Sequence, residues 1–272
     1  MERNSRQIAV LLATYNGARF LREQLESLFR QSCEDFHLYV RDDGSTDDTL
    51  KIVGEFAQKY PDQVSVIDDG EGRLGAAHSF MNLLDQVDSE FYMFCDQDDV
   101  WLDTKIEKTL EHMLGLNQNM PVVVATDLQV VDENLNKIKD SFNADLKIDV
   151  FRKHPELLYV RHVVTGCTMM INEAAKNISL PFSPLATMHD EWIALCTHFG
   201  NGTISILDKA TVLYRQHSAN AVGAEESTKG FVHRVGSARG RSHFGALYKL
   251  VHEVFDVSLV QFLLYKIRFS WF

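Results

Sequence analysis

Ile8-Ala-Val-Leu-Leu-Ala-Thr14, running into Tyr15-Asn16-Gly17, is the stretch from which the fold follows. An unbroken apolar run without alternation describes a strand buried on both faces, as in the centre of a sheet covered by helices on either side. Asn16-Gly17 ends it, and Phe20, Leu21, Leu25, Leu28 and Phe29 then recur at helical spacing. The alternation continues outward. His37 to Arg41 reads as a second strand, followed by Asp42-Asp43-Gly44-Ser45-Thr46-Asp47, where Thr46 or Asp47 is placed to cap a helix carrying Leu50, Val53, Phe56 and Ala57. Val64 to Ile67 is a third strand and Ala76 to Val87 a third helix. Glu90 to Cys95 is a fourth strand, running into Asp96-Gln97-Asp98-Asp99. Such alternation predicts an α/β fold, Rossmann-like, with a mostly parallel sheet and flanking helices. Ligands of these sheets bind beyond the carboxyl ends of the strands. Three polar clusters fall there: Thr14-Tyr15-Asn16, Asp42-Asp43 and Asp96 to Asp99. Past Asn117 the pattern loosens. Val122 to Ala125, Gln129 to Val131 and Val163 to Ile171 read as strands, the last interrupted by Gly166, while 140–160 carry little signal.

At 272 residues, 45% hydrophobic and 24% charged, the chain is long enough to bury a substantial globular core. A net charge of −11 argues against nucleic acid as the main partner, since phosphate backbones are bound by excess Lys and Arg. The charge is uneven. From Lys229 onward seven Lys and Arg face two acids, Glu253 and Asp256, which makes the tail +5 and the remainder −16. Cys33, Cys95, Cys167 and Cys196 form no C-x-x-C pair and read as reduced, mostly buried thiols. The first apolar run is too short for a secretory signal, and no stretch approaches the ~20 apolar residues of a membrane span. The expected location is therefore the cytoplasm, with peripheral contact to the inner face of the cell membrane as an option for the tail.

The acidic clusters carry the chemistry. Asp96 and Asp98 form a D-x-D at a strand end, where side chains two apart point the same way and can share one divalent cation. Oxygen ligands suit Mg²⁺ or Mn²⁺, and such an ion would neutralise a departing diphosphate. Taken alone, D-x-D reads more often as a solvated loop capping the helix that starts near Asp103. Its context is different here, because gathering so many carboxylates costs free energy unless a cation or ligand compensates. Within the cluster Asp43 is placed to accept the N3–H of a pyrimidine base. Tyr15 is placed to stack on that base, or to be plain core.

Ala13-Thr-Tyr-Asn-Gly17, Arg41-Asp-Asp-Gly-Ser-Thr46 and Asp96-Gln-Asp-Asp-Val-Trp101 resemble, in order and spacing, the family 2 glycosyltransferases of GT-A fold. Thr165-Gly-Cys-Thr-Met-Met-Ile-Asn172, His189-Asp-Glu-Trp192 and Tyr214-Arg-Gln-His-Ser-Ala-Asn220 look like the bacterial rhamnosyltransferase branch, which builds capsule, O-antigen and cell-wall polysaccharides. The resemblance covers residues 7–222. It implies one GT-A domain with a nucleotide-sugar-binding half over 1–125 and an acceptor-binding, catalytic half over 126–222, ahead of a basic amphipathic helical tail over 223–272. Ala13, Thr14, Tyr15 and Asp43 would hold the nucleobase, with Asp42 nearby, and Asp96 and Gln97 would lie along the rest of the nucleotide sugar. Asp98 would hold the divalent metal, and His217 would complete the metal or diphosphate site. Thr165 and Gly166 would line the donor–acceptor pocket, and Trp192 would stack on a sugar. Asp190 would be the general base, with Glu191 its rival. Inverting transfer needs one base opposite the leaving group and a Lewis acid behind the diphosphate, and no protein nucleophile. Without the family pattern His217 reads as a loop histidine and Asp190 as a helix N-cap. The implied donor is dTDP-L-rhamnose, with UDP-glucose, UDP-galactose, UDP-GlcNAc and UDP-galactofuranose open. The implied acceptor is a hydroxyl of a lipid-linked glycan. One departure stands out: many relatives carry an Arg-Asn pair near the diphosphate, whereas Gly75-Ala-Ala-His-Ser-Phe80 has no arginine, leaving Arg73 or His78 as substitutes.

The tail carries Lys229, Arg234, Arg239, Arg241 and Lys249 with no acid among them, then Leu247, Val251, Phe255, Leu259, Phe262 and Leu263 at helical spacing. A basic, aromatic-rich end of this kind suits an anionic membrane face; packing on the domain and a homodimer contact are the alternatives. Two rivals come from other classes. A haloacid-dehalogenase-type phosphatase would use Asp96 as nucleophile, but its motif ends the first strand of its fold, and Asp42, Asp43 and Tyr15 would have no task. A non-catalytic nucleotide-sugar binder is the other.

Overall fold

In the computed structural model, residues 8–146, 148–217 and 238–270 are described. β1 (Ile8–Thr14) is buried along nearly its whole length, as its unbroken apolar run requires. It pairs in parallel with β2 (His37–Asp42) on one side and β4 (Phe91–Cys95) on the other, and β2 carries β3 (Val64–Val66) at the edge. The intervening helices are α1 (Ala18–Leu28), α2 (Thr49–Lys59) and α3 (Ala76–Gln86). Each buries an apolar stripe: Leu21, Leu25 and Leu28 on α1, Ile52, Val53 and Phe56 on α2, Phe80, Leu83 and Leu84 on α3. The N-cap of α2 is Asp48 rather than Thr46 or Asp47; Asp47, one residue ahead of it, accepts the Thr49 amide at 3.0 Å and that of Ala18 at 3.1 Å, at the starts of two helices. The chain leaves β1 toward β2 and returns to its opposite side as β4. That reversal opens a crevice beyond the carboxyl ends of β1 and β4.

The second half mixes directions. β5 (Val100–Trp101) and α4 (Lys105–Leu114) follow β4. β6 (Val122–Val131) is one ten-residue strand rather than the two expected, and register shifts around Asp127 account for the broken pattern there. β7 (Lys137–Lys139) pairs with it, and two short helices, α5 (Asn143–Leu146) and α6 (Ile148–Lys153), occupy the stretch without sequence signal. The strand expected from Val163 is shorter. Gly166–Thr168 is a 3₁₀ turn, and only β8 (Met169–Asn172) is extended. β8 runs antiparallel to both β4 and β6 and so joins the two halves of the sheet. After α7 (Glu173–Ser179) and α8 (His189–Phe199), β9 (Thr203–Arg215) runs parallel to β6 and antiparallel to β5. The order is β3-β2-β1-β4-β8-β6-β9-β5, with β7 beside β6.

The tail helices are α9 (Ala238–Phe255) and α10 (Leu259–Ser270). Their Leu247, Leu250, Val251, Val257 and Phe262 are buried, Phe255 stacks on Phe199 of α8 at 4.3 Å, and Tyr265 meets Tyr159 edge-on at 5.2 Å. One face of the tail therefore packs on the domain. Lys229 and Arg234 lie outside the described residues, as do Ser218, Ala219 and Asn220 of the Tyr214-Asn220 motif. No helix among the described residues is long and apolar enough to cross a membrane.

Candidate active site

The loops after β1 and β2 are laced together. Thr14 Oγ1 donates to Asp42 at 2.8 Å, and Asp42 also accepts the Gly44 and Ser45 amides at 3.1 and 2.7 Å and the Ser45 hydroxyl at 2.6 Å. Asp42 therefore closes its own turn, and its carboxylate has little capacity left for a ligand. Asp43 differs. It is buried and accepts from Arg41 (2.8 Å), the amides of Leu74 (2.6 Å) and Gly75 (2.8 Å), and Ser79 (3.2 Å). Burial works to raise its pKa, but the Leu74 and Gly75 amides and Arg41 outweigh it and hold the carboxyl below its usual range. Its Oδ2 accepts only the Gly75 amide among these, so one lone pair remains for an incoming N–H. Arg41, fully buried, reaches on to Asp69 at 2.7 Å and the Gly72 carbonyl at 3.0 Å, fixing the 69–75 loop over Asp43.

Ala13 and Tyr15 are half-buried at the mouth of the crevice. Gln97 clamps Tyr15 from both sides: Oε1 accepts the Tyr15 amide at 2.9 Å and Nε2 donates to its carbonyl at 3.0 Å. Gln97 thus fixes the backbone of Tyr15. A Cβ on Gly17 would sit 2.1 Å from Gln97 Oε1, so a larger residue there would push the Gln97 amide away from Tyr15. The Arg73 guanidinium lies 3.9 Å from the Tyr15 ring centre, a cation–π contact. His78 instead meets Phe182 edge-on at 4.9 Å. Of the two substitutes for the missing arginine, Arg73 is the one that touches the nucleotide-side residues.

Asp96 to Asp99 occupy a turn between β4 and β5, so strand alternation does not set their directions. Asp98 Oδ2 lies 2.8 Å from His217 Nε2, across 119 residues of sequence. Arg215, almost fully buried, makes this meeting possible. Its amide donates to Asp99 at 3.1 Å, Nε to the Asp98 carbonyl at 2.8 Å, Nη1 to the Glu133 carbonyl at 2.7 Å and Nη2 to Glu23 at 2.5 Å. Asp96, Asp99 and Cys167 bring one ligand atom each within 4.8 Å of one another. Burial, and then the charges of Asp98 and Asp190, raise Asp96 to about 7; burial, Asp98 and Asp96 raise Asp99 as well. Asp99 Oδ2 is buried without a hydrogen-bond partner among the described residues. Lys105, also buried, lies 4.7 Å over the Trp101 ring; burial lowers it to about 8 against the pull of Cys167, Cys95 and Asp99. Carboxylates that raise one another in this way are relieved by a divalent cation. A carboxylate oxygen opposite an imidazole nitrogen suits Mn²⁺ somewhat better than Mg²⁺. Asp98 and His217 offer two donors of the kind such an ion takes, beside the three-atom group of Asp96, Asp99 and Cys167.

Asp190 stands in the first turn of α8, so it is not the N-cap; Met188 is. Its Oδ2 accepts the Gly166 amide at 2.8 Å and faces His162 Nε2 at 3.2 Å, and Oδ1 accepts the Glu191 amide at 2.8 Å. Burial works to raise Asp190, but the His162 charge and hydrogen bond, with His189, hold it far below the usual carboxylate range. His162 Nε2 also meets the Val164 carbonyl. Burial works against the His162 charge, yet Asp190, then Glu191 and Val164, push it up to about 9. Since the folded value lies above the ordinary one of about 6.5, the pair's stabilisation is fully present below that pH and is lost as pH climbs through 9. Thermal unfolding between pH 6 and 10 should show this alkaline loss in the parent and not in His162→Gln; equal slopes would remove the assignment.

Thr165 is half-buried beside Gly166, and Glu191 is buried with Oε1 unpartnered among the described residues. A Cβ on Gly166 would come within 2.6 Å of His189 Nε2, and that ring is wedged against Phe80 (4.4 Å) and Phe94 (5.1 Å). Gly166→Ala should therefore destabilise the fold by about 1–3 kcal/mol, read from denaturant midpoints. An unchanged midpoint would mean that the ring yields freely. Trp192 corrects an expectation. It is buried, donates Nε1–H to the Ser179 carbonyl at 2.7 Å and packs against Phe182 and Phe255, so it cannot stack on a sugar. Residues two apart on a helix point to nearly opposite sides, and Asp190 takes the side facing the site.

A Rossmann-like sheet with carboxylates gathered at the β1–β4 crevice agrees with the GT-A glycosyltransferase class that the motifs imply. The chain belongs to glycosyl transferase family 2, whose model matches residues 9–178. It is 30% identical over 259 residues to a dTDP-rhamnosyl transferase of Shigella flexneri, RfbG, covering 92% of this chain and 86% of that one. Among solved structures it resembles S. aureus TarS 1-349 in complex with UDP-GlcNAc, with a TM-score of 0.59 and 20% identity over 93% of this chain and 73% of that one. It also resembles the mannosyltransferase PcManGT from Pyrobaculum calidifontis in complex with GDP-Man and Mn²⁺, with a TM-score of 0.65 and 14% identity over 94% and 66%. A phosphatase or a pure binder is set aside by this membership.

Proposed function

We propose that the chain is an inverting, metal-dependent transferase moving L-rhamnose from dTDP-rhamnose onto a hydroxyl of a lipid-linked polysaccharide intermediate. The observation that carries the reading is the Asp98–His217 pair at 2.8 Å, placed beside Asp96, whose pKa responds to the charge of Asp190. That the charge of Asp190 reaches Asp96 supports a cation site and a base lying near one another. The similarity to the Shigella rhamnosyl transferase supports the donor. Asp43 Oδ2 accepts the N3–H of the thymine, Tyr15 stacks on its ring with Arg73 backing Tyr15, and Asp98 and His217 would hold the divalent ion with Asp96 beside the diphosphate. When bound, that ion supplies Lewis-acid stabilisation of the departing diphosphate.

Asp190 keeps its charge at neutral pH and has a free lone pair at Oδ1 toward which an acceptor hydroxyl can point. As the hydroxyl oxygen bonds to the anomeric carbon, the bond from that carbon to the diphosphate oxygen breaks, dTDP leaves with the electron pair, and the hydroxyl proton passes to that carboxylate. The acceptor-side cluster of Gly166, Glu191 and His162 shapes that approach. The test is a thermal-shift screen of nucleotide sugars with and without Mn²⁺. dTDP-rhamnose with Mn²⁺ should give the largest rise. A larger rise with a UDP-hexose would replace the donor, and indifference to Mn²⁺ would remove the metal.

A further inference from the structure

α10 presents two faces. Phe262 is buried and Tyr265 meets Tyr159, so one side is fixed to the domain. On the other, Leu259, Val260, Leu263, Leu264 and Ile267 are between 42% and 67% exposed. At about 100° per residue these five positions form one continuous row along the helix. Exposed apolar rows of this length are rare on a soluble surface unless something covers them.

The flanks indicate what does. Lys266 and Arg268 fall on the two edges of the row, one on each side. Each is tethered to the domain as well, Lys266 by the Val160 carbonyl at 2.6 Å and Arg268 by Glu156 at 3.5 Å. From Val257 to the end at Phe272 the sequence holds no acid, and it closes on Trp271-Phe272. Glu253 and Asp256, the two acids beyond Lys229, precede α10. A second copy of the chain is a poor occupant. A two-fold contact through the same row would set basic edges against basic edges, with no acid on either helix to answer them. An anionic bilayer answers both features at once: acyl chains take the apolar row and headgroup phosphates take the cations.

We propose that α10 is an in-plane membrane helix whose row Leu259, Val260, Leu263, Leu264 and Ile267 enters the surface of an anionic bilayer, with Lys266 and Arg268 at the headgroups. The inference goes beyond the transferase reading and does not depend on the donor or the metal. It also changes which experiment is informative. Deleting residues 243–272 would strip Leu247, Leu250, Val251 and Phe262 from the core, whereas point substitutions on the outer row leave the packing intact.

The test is flotation of the full chain with phosphatidylcholine vesicles and with vesicles also carrying phosphatidylglycerol. The unsubstituted chain should float with the anionic vesicles, and less so at high salt. Val260→Glu combined with Leu264→Glu should lower the bound-to-free ratio by at least about tenfold at an unchanged melting temperature. Ile138→Glu, an equally exposed apolar site elsewhere, should bind like the parent. Absence of flotation by the parent, or full retention by the double variant, would overturn the proposal. So would a dimer in light scattering that the double variant converts to a monomer without any vesicle binding. That outcome would assign the row to self-association.

Discussion

Asp190→Asn is expected to lower the transfer rate by about 10²–10⁴-fold while donor affinity stays within a few-fold of the parent, the range by which a positioned general base accelerates proton transfer. The structure sets the conditions of the test. Asp190 accepts three hydrogen bonds, from Gly166, His162 and Glu191. An Asn that keeps its oxygen toward Gly166 and His162 turns its amide nitrogen toward the Glu191 N–H, donor against donor. That mismatch costs about 1–3 kcal/mol of stability, so turnover must be compared at equal folded fraction. Donor binding by calorimetry separates a lost base from a lost fold. Turnover within tenfold of the parent would transfer the role to Glu191, whose Oε1 is buried in the same cluster without a partner among the described residues.

The second large effect concerns the cation. Asp98→Asn and His217→Gln should each weaken Mn²⁺ binding by about a hundredfold or more. Arg215→Met, which removes only the group orienting them, should weaken it by about 10–100-fold, as loss of partners behind metal ligands usually does. Free Mn²⁺ measured by paramagnetic resonance reads this without any turnover. Arg215→Met also frees the carbonyls of Asp98 and Glu133, so its melting temperature should fall. Arg215→Lys, which keeps the charge and loses the fork, should not restore either property. Mn²⁺ affinity equal to the parent in both Asp98→Asn and His217→Gln would dissolve the metal reading altogether. Equal affinity in Arg215→Met alone would reduce Arg215 to a structural clamp.

The parallel half of the fold was written in local signals. β1 and β4 are unbroken apolar runs because both faces of each are covered, and a run of that kind needs no knowledge of its partners to be read. The acidic clusters could be placed at the strand ends for the same reason. β9, by contrast, mixes exposed and buried positions without a regular period, and its place beside β6 depends on residues some 80 positions away. Arg41 and Arg215 were visible as charges inside or beside strands, yet their tasks appear only when Asp43, the 69–75 loop and the turn after β4 come to surround them.

The sequence by itself determined that this chain builds a mostly parallel sheet with carboxylates at its open edge, and its motifs carried the likeness to family 2 glycosyltransferases. Tertiary structure alone decided what each carboxylate touches. It closed Asp42 onto its own turn, left Asp43 one open lone pair, set Asp98 against His217 and turned Trp192 into the core. It also divided the tail's apolar residues between a packed face and an open one. The physical reason is common to all of these. Periodicity reports whether a position is covered, which is a property of one segment, whereas hydrogen-bond partners and pKa depend on which distant segment does the covering.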